Sequence, residues 1–361
     1  MRTFLRTALW LFVATILLLG ALAPPTPAEA ATKKSFRIAW SIYVGWMPWA
    51  YAAETGIMKK WADKYGIEIE LVQVKDYIDS INQYTAGTYD GCAMTNMDAL
   101  TIPAAGGVDS SAVIIGDFSN GNDGVVLKNG PSLANLKGRR ISLVEFSVSH
   151  YLLARALETA GLTESDVTIV NTSDADIVAA FAATPDMNAV VTWNPQLAEV
   201  LKMPGVNLVF DSSMIRGEII DLMVVNAQTL RDNPDLGKAL TGAWYEVMAT
   251  MQRKDETGAG ALDFMAKASG TDIAGYNAQL GATRLFSDPQ SAVAFATSAD
   301  LPTTMDRVRK FSFAHGLLGK GAASADAVGI QVPGGQVLGD PGNVKLRFDT
   351  EFMALAADGK L

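Results

Sequence analysis

FRIAWSIYVGWMPWAYAAETG, residues 36–56, opens with a short apolar run that reads as a strand, passes through a loop crowded with aromatics, and continues as a helix over 50–54 that stops at Gly56. The pattern then repeats. EIELVQV at 68–74 alternates as a second strand, residues 77–86 have helical spacing that closes at Gly87, and YDGCAM at 89–94 reads as a short buried strand. Thr95 and Asn96 offer an N-cap to a helix over 97–105. This β-α-β-α-β-α succession predicts a parallel sheet with helices on both faces, and such sheets bind ligands beyond the carboxyl ends of their strands.

Working outward, a strand at 113–116 is followed by DFSNGNDG at 117–124, polar and punctuated by glycine, before apolar residues resume at 125–127. The chain is expected to cross there into a second domain. A second series follows: strand 140–144, helix 150–160 stopped by Gly161, strand 167–170, helix 175–182 and strand 189–192. Strand 206–210 leads through Arg216-Gly217-Glu218 to a return strand at 219–225. The expected fold is therefore α/β in two parts, each a mainly parallel sheet flanked by helices and joined by two crossover segments. Residues 31–120 with 222–361 form the discontinuous first part, and residues 121–221 the second. Beyond residue 227 the segments are helical, most clearly at 236–251; residues 329–343 are rich in Gly and Pro without periodicity, and 344–355 regain some. No short repeat marks a solenoid.

Composition agrees with a large folded protein. At 361 residues, 49% hydrophobic and 19% charged, disorder, collagen and coiled coil are excluded, and the length favours two domains with a cleft between them. With 29 Lys+Arg against 38 Asp+Glu the net charge is −9, opposite in sign to what a nucleic-acid partner requires. The thiol inventory is Cys92 alone and the imidazoles are His150 and His315, so no disulfide framework exists and no short segment holds a Cys/His zinc site. No cofactor is expected, Cys-His or Ser-His-Asp catalysis would need one of the two histidines as base, and Cys92 reads as a small buried residue.

The N-terminus carries an address. Arg2 and Arg6 precede an apolar stretch over 8–22, and Ala28-Glu29-Ala30 fits a signal-peptidase site, so residues 1–30 read as a signal peptide cleaved after Ala30. The apolar run is about 15 residues where a membrane span needs about 20, and Pro24, Pro25 and Pro27 follow at once. No cysteine stands at the cleavage point to take a lipid, which points to a freely soluble periplasmic protein. Loss of Arg2, Arg6 and Glu29 takes the charge from −9 to −10.

Three stretches carry a family resemblance: WSIYVGWMPWAYAAETGIM at 40–58, LKGRRISLVEFSVSHYLLARALETAGL at 136–162 and AVVTWNP at 189–195. Together they resemble the periplasmic solute-binding proteins of ABC importers in the nitrate/taurine/thiamine-precursor class. The resemblance implies a two-lobed clamshell that closes on a small solute and presents it to a membrane permease, without catalysis; a monomer fits that role. The first loop, with Trp40, Tyr43, Trp46 and Trp49, looks like the urea-carboxylase-associated branch, for which urea and guanidine are the implied solutes. The thiamine-precursor relatives include suicide enzymes with a Cys-rich motif, which this chain lacks.

The residue types of the loops support a cation. Asp98, Asp123, Glu145, Glu218 and Asp221 follow the strands, with Arg216 the cation near them in sequence. Nitrate, a sulfonate or phosphate needs Arg, Lys or a free helix N-terminus, and Glu145 stands just ahead of the helix that starts near Ser147. Guanidinium is planar and cationic, so carboxylates in its plane and an indole on its face are its matched set, whereas urea would leave ionised carboxylates undercompensated. The candidate ligand-binding residues are Trp46, Glu145, Asp98, Asp123, Trp193, Tyr43 and Trp49, with Thr95, Asn96 and Ser147 as hydrogen-bond partners. Plainer roles compete with each. Asp98 suits the first turn of a helix in any case, Asp123 suits a turn, Glu218 and Asp221 read as hinge or surface charges, Tyr43 and Trp49 suit a core, and His150 reads as a structural or cleft-edge residue. Three alternatives stand beside guanidinium: urea; an anion such as nitrate, taurine or another sulfonate, held by Arg139, Arg140 or Arg216; and a carboxylate-dependent periplasmic hydrolase pairing Asp123 with Glu145.

Overall fold

A computed structural model describes residues 33–361. The signal peptide expected over residues 1–30 lies outside the described residues.

The first strand, β1 (Ser35–Trp40), runs parallel to β2 (Glu68–Gln73) from Ser35 opposite Glu68 to Trp40 opposite Gln73, and parallel to β3 (Gly91–Thr95) on its other side. Every residue of β3 is buried, Cys92 among them, and burial pushes the Cys92 thiol up to about 12. The crossover helices are set by local chemistry. Asp76 caps the helix Tyr77–Thr85 by accepting the Asp79 N–H at 2.9 Å, and Thr95 caps the short helix Asn96–Ala99. The single helix expected at 97–105 gives way after Ala99 to a wide π-type turn over Leu100–Ala104, where Pro103 has no N–H to continue the ladder.

Next comes β4 (Ser110–Ser119), ten residues long and buried throughout. Three residues of the polar stretch expected as loop, Asp117, Phe118 and Ser119, belong to this strand, so the crossing shrinks to residues 120–122 before β5 (Asp123–Lys128) begins. The reason is pairing: Asp117 lies opposite Asp221 on β10 (Ile220–Asn226), and a strand end can hold polar residues when they face a site.

Between the crossings lie β6 (Arg140–Leu143), β7 (Thr168–Asn171), β8 (Ala189–Trp193) and β9 (Val206–Asp211), and with β5 they form a five-stranded sheet in the order β7-β6-β8-β5-β9. The larger sheet takes in β11 (Thr283–Leu285), β12 (Gly329–Gln331), β13 (Val337–Leu338) and β14 (Val344–Phe348) and runs β13-β12-β14-β4-β10-β3-β1-β2, with β11 also on β4. The Gly/Pro-rich stretch after residue 329 thus supplies edge strands, whose short length hid their period. Both sheets are parallel where β-α-β units build them. They turn antiparallel at β5, on which the chain enters the smaller sheet, at β10, on which it returns to the larger one, and at the short β11 and β13 pairings. Helices pack around both sheets; Pro234–Met251 is the longest, and its Trp244 stacks at 5.0 Å on Trp49.

Candidate functional site

Parallel strands present their carboxyl ends to one edge of a sheet. Thr95 ends β3 and Trp193 ends β8 at that edge, and β5 and β10 run the opposite way, so they bring their beginnings to it: Asp123, the first residue of β5, and Asp221, the second of β10. Asp123 lies directly opposite Trp193, and Asp221 opposite Thr95 on one side and Asp117 on the other. The loop after β1 folds a single 3-10 turn, Val44–Trp46, over the same edge, with Gly45 at its centre. A Cβ at Gly45 would stand 2.3 Å from Asp117 Oδ2 and 2.6 Å from the Tyr43 ring, so only glycine lets the loop come this close.

These elements surround a small cavity lined by Tyr43, Trp46, Tyr77, Thr95, Asp123, Val148, Trp193, Ile219 and Asp221; its atom-free space, open solvent at the mouth included, is about 290 Å³. Its aromatic wall is continuous. Ring centroids lie 5.2 Å apart for Tyr43–Trp46, 5.5 Å for Trp46–Tyr77 and 5.6 Å for Tyr77–Trp193, which joins side chains carried by the two sheets.

Carboxylates make the rest. Asp98 and Asp117 are 0% exposed, Asp123 and Asp221 3%. Asp98 Oδ2 accepts from the Tyr77 hydroxyl at 2.6 Å and the Thr95 hydroxyl at 2.8 Å, Asp117 Oδ1 accepts from the Tyr43 hydroxyl at 3.1 Å, and Asp123 Oδ2 accepts from the Ser119 hydroxyl at 2.5 Å. No Lys or Arg lines the cavity among the described residues. Burial therefore dominates these acids: it lifts Asp98 to about 6 against hydrogen bonds from Tyr77 and Thr95, and Asp123 to about 7 against the bond from Ser119, with the Asp98 charge adding to the rise. Asp117 and Asp221 are both raised, by burial first; for Asp221 the neighbouring Asp117 carboxyl adds to it. Residues directly opposite in a sheet have Cβ atoms about 5 Å apart, where two unit charges at an effective dielectric near 20 repel by about 3 kcal/mol.

The candidates from the sequence divide. Tyr43, Trp46, Thr95, Asp123 and Trp193 line the cavity together. Asp98 stands just behind it, bonded to Thr95 and Tyr77. Trp49 packs in the core against Trp244. Asn96 clamps the return crossing, donating to the Glu218 carbonyl at 3.2 Å and accepting the Ile220 N–H at 3.1 Å, and Ser147 caps the helix Val148–Thr159. Glu145 is half-buried and lines a separate groove with Asp76, Asn171 and Asp174. Asp221 and Glu218, read as hinge or surface charges, are both buried: Asp221 in the cavity wall, and Glu218 accepting from Tyr151 at 2.6 Å and Arg155 at 3.0 Å and paired with Arg307. Sequence reasoning passed over Tyr77 and Asp117. The signal for Tyr77 was its place at the first helical residue after β2, the same carboxyl-end position as the other wall residues.

A second cluster joins the histidines. Glu164 Oε1 lies 3.2 Å from His150 Nε2 and 2.6 Å from His315 Nε2. The three could surround a metal ion by spacing, but His150 Nδ1 already accepts the Phe146 N–H at 3.1 Å, so its proton sits on Nε2 and that nitrogen has no lone pair to give. His315 Nδ1 bonds the Phe311 carbonyl at 2.8 Å while its Nε2 faces Glu164, an arrangement that wants a proton on both nitrogens; the Glu164 bond accordingly raises His315 above its ordinary value. Burial opposes ionisation of Glu164, yet the hydrogen bonds from His150 and His315 bring it down to about 2. The cluster is an ion-pair contact between the helix Asp300–Ala314 end and the Val148–Thr159 helix.

Comparison with known proteins adds a fold and a family. The alkanesulfonate-binding protein SsuA from Xanthomonas axonopodis pv. citri, solved bound to MOPS, superposes with a TM-score of 0.66 at 19% identity, covering 82% of this chain and 99% of that one. The fold is thus the two-sheet α/β fold of periplasmic binding proteins. A Brucella abortus (strain 2308) protein provisionally named a binding protein is 27% identical over 195 residues, 53% of this chain and 58% of its own length, so the chain spans little more than half of that curated relative. An Escherichia coli (strain K12) protein, provisionally named for binding aliphatic sulfonates, is 34% identical over 91 residues, 25% of this chain and 28% of its own. The model of the NMT1/THI5 like family matches residues 50–254, more than half of the sequence and most of both β/α series, and the chain belongs to that family.

Proposed function

We propose that the protein is a periplasmic receptor that captures a small planar cation, guanidinium in our reading, and delivers it to the permease of an ABC importer. The two sheets are the cores of two lobes, residues 31–120 with 222–361 and residues 121–221, and the cavity between Trp46 and Trp193 is where they close on the solute after a signal peptide is removed near Ala30. The receptor acts as a monomer and does no chemistry on its ligand.

One observation carries this reading: four buried aspartates stand in or behind a cavity whose lining holds no Lys or Arg among the described residues. A cation would supply the missing charge, and the rings of Trp46, Tyr77 and Trp193 offer it a face. An anion meets the opposite. Arg139 is spent on the carbonyls of Lys128, Asn129 and Asn135, Arg140 pairs with Asp186, and Arg216 lies over the Phe118 ring at 5.6 Å. The sulfonates named for the Xanthomonas and Escherichia coli relatives are therefore a poor match to this lining. Hydrolysis by Asp123 with Glu145 is disfavoured because the two line different cavities. A second reading, urea, has its own support: the buried Trp46 Nε1–H finds no acceptor among the described residues, and a carbonyl oxygen is what it lacks.

Isothermal titration of residues 31–361 with guanidinium, urea, nitrate and taurine at matched ionic strength tests the proposal. Four heavy atoms at about 1.5 kcal/mol each give about 6 kcal/mol, a dissociation constant on the order of 10 to 50 μM. Saturable one-to-one heat with guanidinium supports the cation reading. Heat with nitrate or taurine and none with guanidinium overturns it.

A further inference from the structure

We infer that Asp221 sets the charge of the solute this cavity accepts: with Asp117 it holds one shared proton when no cation is bound, and a bound cation takes that proton's place while the proton leaves to solvent. The inference rests on the cavity being the solute site.

The geometry is specific to this pair. Asp221 and Asp117 are directly opposed across β10 and β4, both are buried, and Asp221 alone of the two lines the cavity. Asp117 Oδ1 is occupied by the Tyr43 hydroxyl. Its Oδ2 is buried with no hydrogen-bond donor among the described residues, and the Gly45 backbone closes that side so tightly that no side chain can approach from it. The donor left to satisfy Oδ2 is a carboxyl proton shared with Asp221. Everything else that faces Asp221 from its neighbours is acidic or neutral: Thr95 from β3, Asp123 from β5, Tyr43 from the first loop, with Asp98 bonded behind Thr95. Two adjacent buried carboxyls in such surroundings cannot both ionise, and the upward push that burial and Asp117 give Asp221 agrees with this.

Ligand charge then decides the outcome. A monovalent cation beside Asp221 compensates the second carboxylate, so the proton is released and the charge of the buried cluster is unchanged. A neutral amide brings no charge and leaves the proton where it was. The cavity would thus separate guanidinium from urea by proton exchange, although the two have the same shape.

The test is calorimetry on the mature chain with guanidinium and with urea, in phosphate and in HEPES at about pH 7, buffers that differ in ionisation enthalpy. The expected result is a heat difference corresponding to one proton from the Asp221–Asp117 pair plus the partial proton that Asp123 gives up, about one and a half per guanidinium and none per urea, with guanidinium affinity rising by about tenfold or more per pH unit between about pH 5 and pH 7. In Asp221→Asn the release falls by about one proton and the pH dependence flattens by about the same amount. Saturable guanidinium binding with the same heat in both buffers overturns the inference and leaves the cation site standing, and so does an Asp221→Asn variant whose pH dependence matches the wild type. Absence of guanidinium binding throughout that pH range overturns the cation site as well.

Discussion

Replacing Asp123 by Asn tests the acidic cavity with the smallest change of shape. Asp123 begins β5 opposite Trp193, lines the cavity, and accepts a 2.5 Å bond from Ser119 that an amide oxygen can keep. A guanidinium about 4 Å from that carboxylate, at an effective dielectric of 20, is held by about 4 kcal/mol. Some of this is offset, because burial lifts Asp123 to about 7 and the group must give up a partial proton to act as a counter-ion. At pH 7 a half-protonated acid loses only about 0.4 kcal/mol in doing so. The remaining carboxyls also take over part of the charge, which leaves a net loss of about 3 kcal/mol, a weakening of roughly 100-fold. A dissociation constant near 10 to 50 μM should move into the millimolar range, while urea, with no charge to lose, should shift by less than about threefold. Titration calorimetry reads both ligands, and far-UV circular dichroism checks that the variant is folded. Equal losses for guanidinium and urea would refute the charge argument, and an unchanged guanidinium affinity would remove Asp123 from the site.

Other expectations follow from the same geometry. Glu145→Gln, in the separate groove, should leave guanidinium affinity within about twofold in the same titration, since a half-exposed charge outside the cavity is largely screened. Because Asp98 and Asp123 are raised to about 6 and about 7, the folded chain holds protons that the unfolded chain has already lost; the ligand-free protein should be most stable below about pH 4 as far as these groups are concerned and lose that stability as pH rises through 6 to 7. Denaturant midpoints across pH, with and without guanidinium, check this: the ligand should stabilise more at pH 7.5 than at pH 5, and a larger effect at pH 5 would contradict it. Glu164→Gln should let the His315 titration, followed by NMR, fall back towards the ordinary value of about 6.5, because the bond that holds its second proton is weakened. The ion pair contributes stability below that value and loses it as pH rises through the raised one, so an unshifted His315 would mean that the contact is not formed in solution.

Most of the architecture was legible because it is local. Apolar runs of period two at β1, β2 and β3, capped helices between them, and glycine stops are all short-range signals, and the two crossings stood out as breaks in that pattern. The site was legible to the extent that it obeyed the carboxyl-end rule: Thr95 and Trp193 end parallel strands, and the first loop with Tyr43 and Trp46 follows β1. Asp221 was hidden because β10 runs against its neighbours, so its beginning, not its end, reaches the cavity edge. Asp117 was hidden because a run of Asp, Ser, Asn and Gly looks like a turn, and only the long β4–β10 pairing turns its beginning into buried strand. Glu145 followed the rule and still faces a different groove: the Glu145 N–H is tied to Asn171 at 3.0 Å, holding that stretch against the end of β7.

Where the chain passes between the sheets, the Ser119 hydroxyl bonds both Asp123 and the Ser212 hydroxyl, and Ser212 in turn accepts the Gly121 N–H at 2.8 Å. The outgoing and returning connections are thereby knotted together at a point one side chain away from the cavity acid. Any reorientation of Asp123 as its charge changes is transmitted to this knot through a single hydroxyl. If the cavity takes the proposed solute, the acid that meets it and the connections that join the two sheets share this one hydroxyl, so occupancy and the join would be linked without a separate relay.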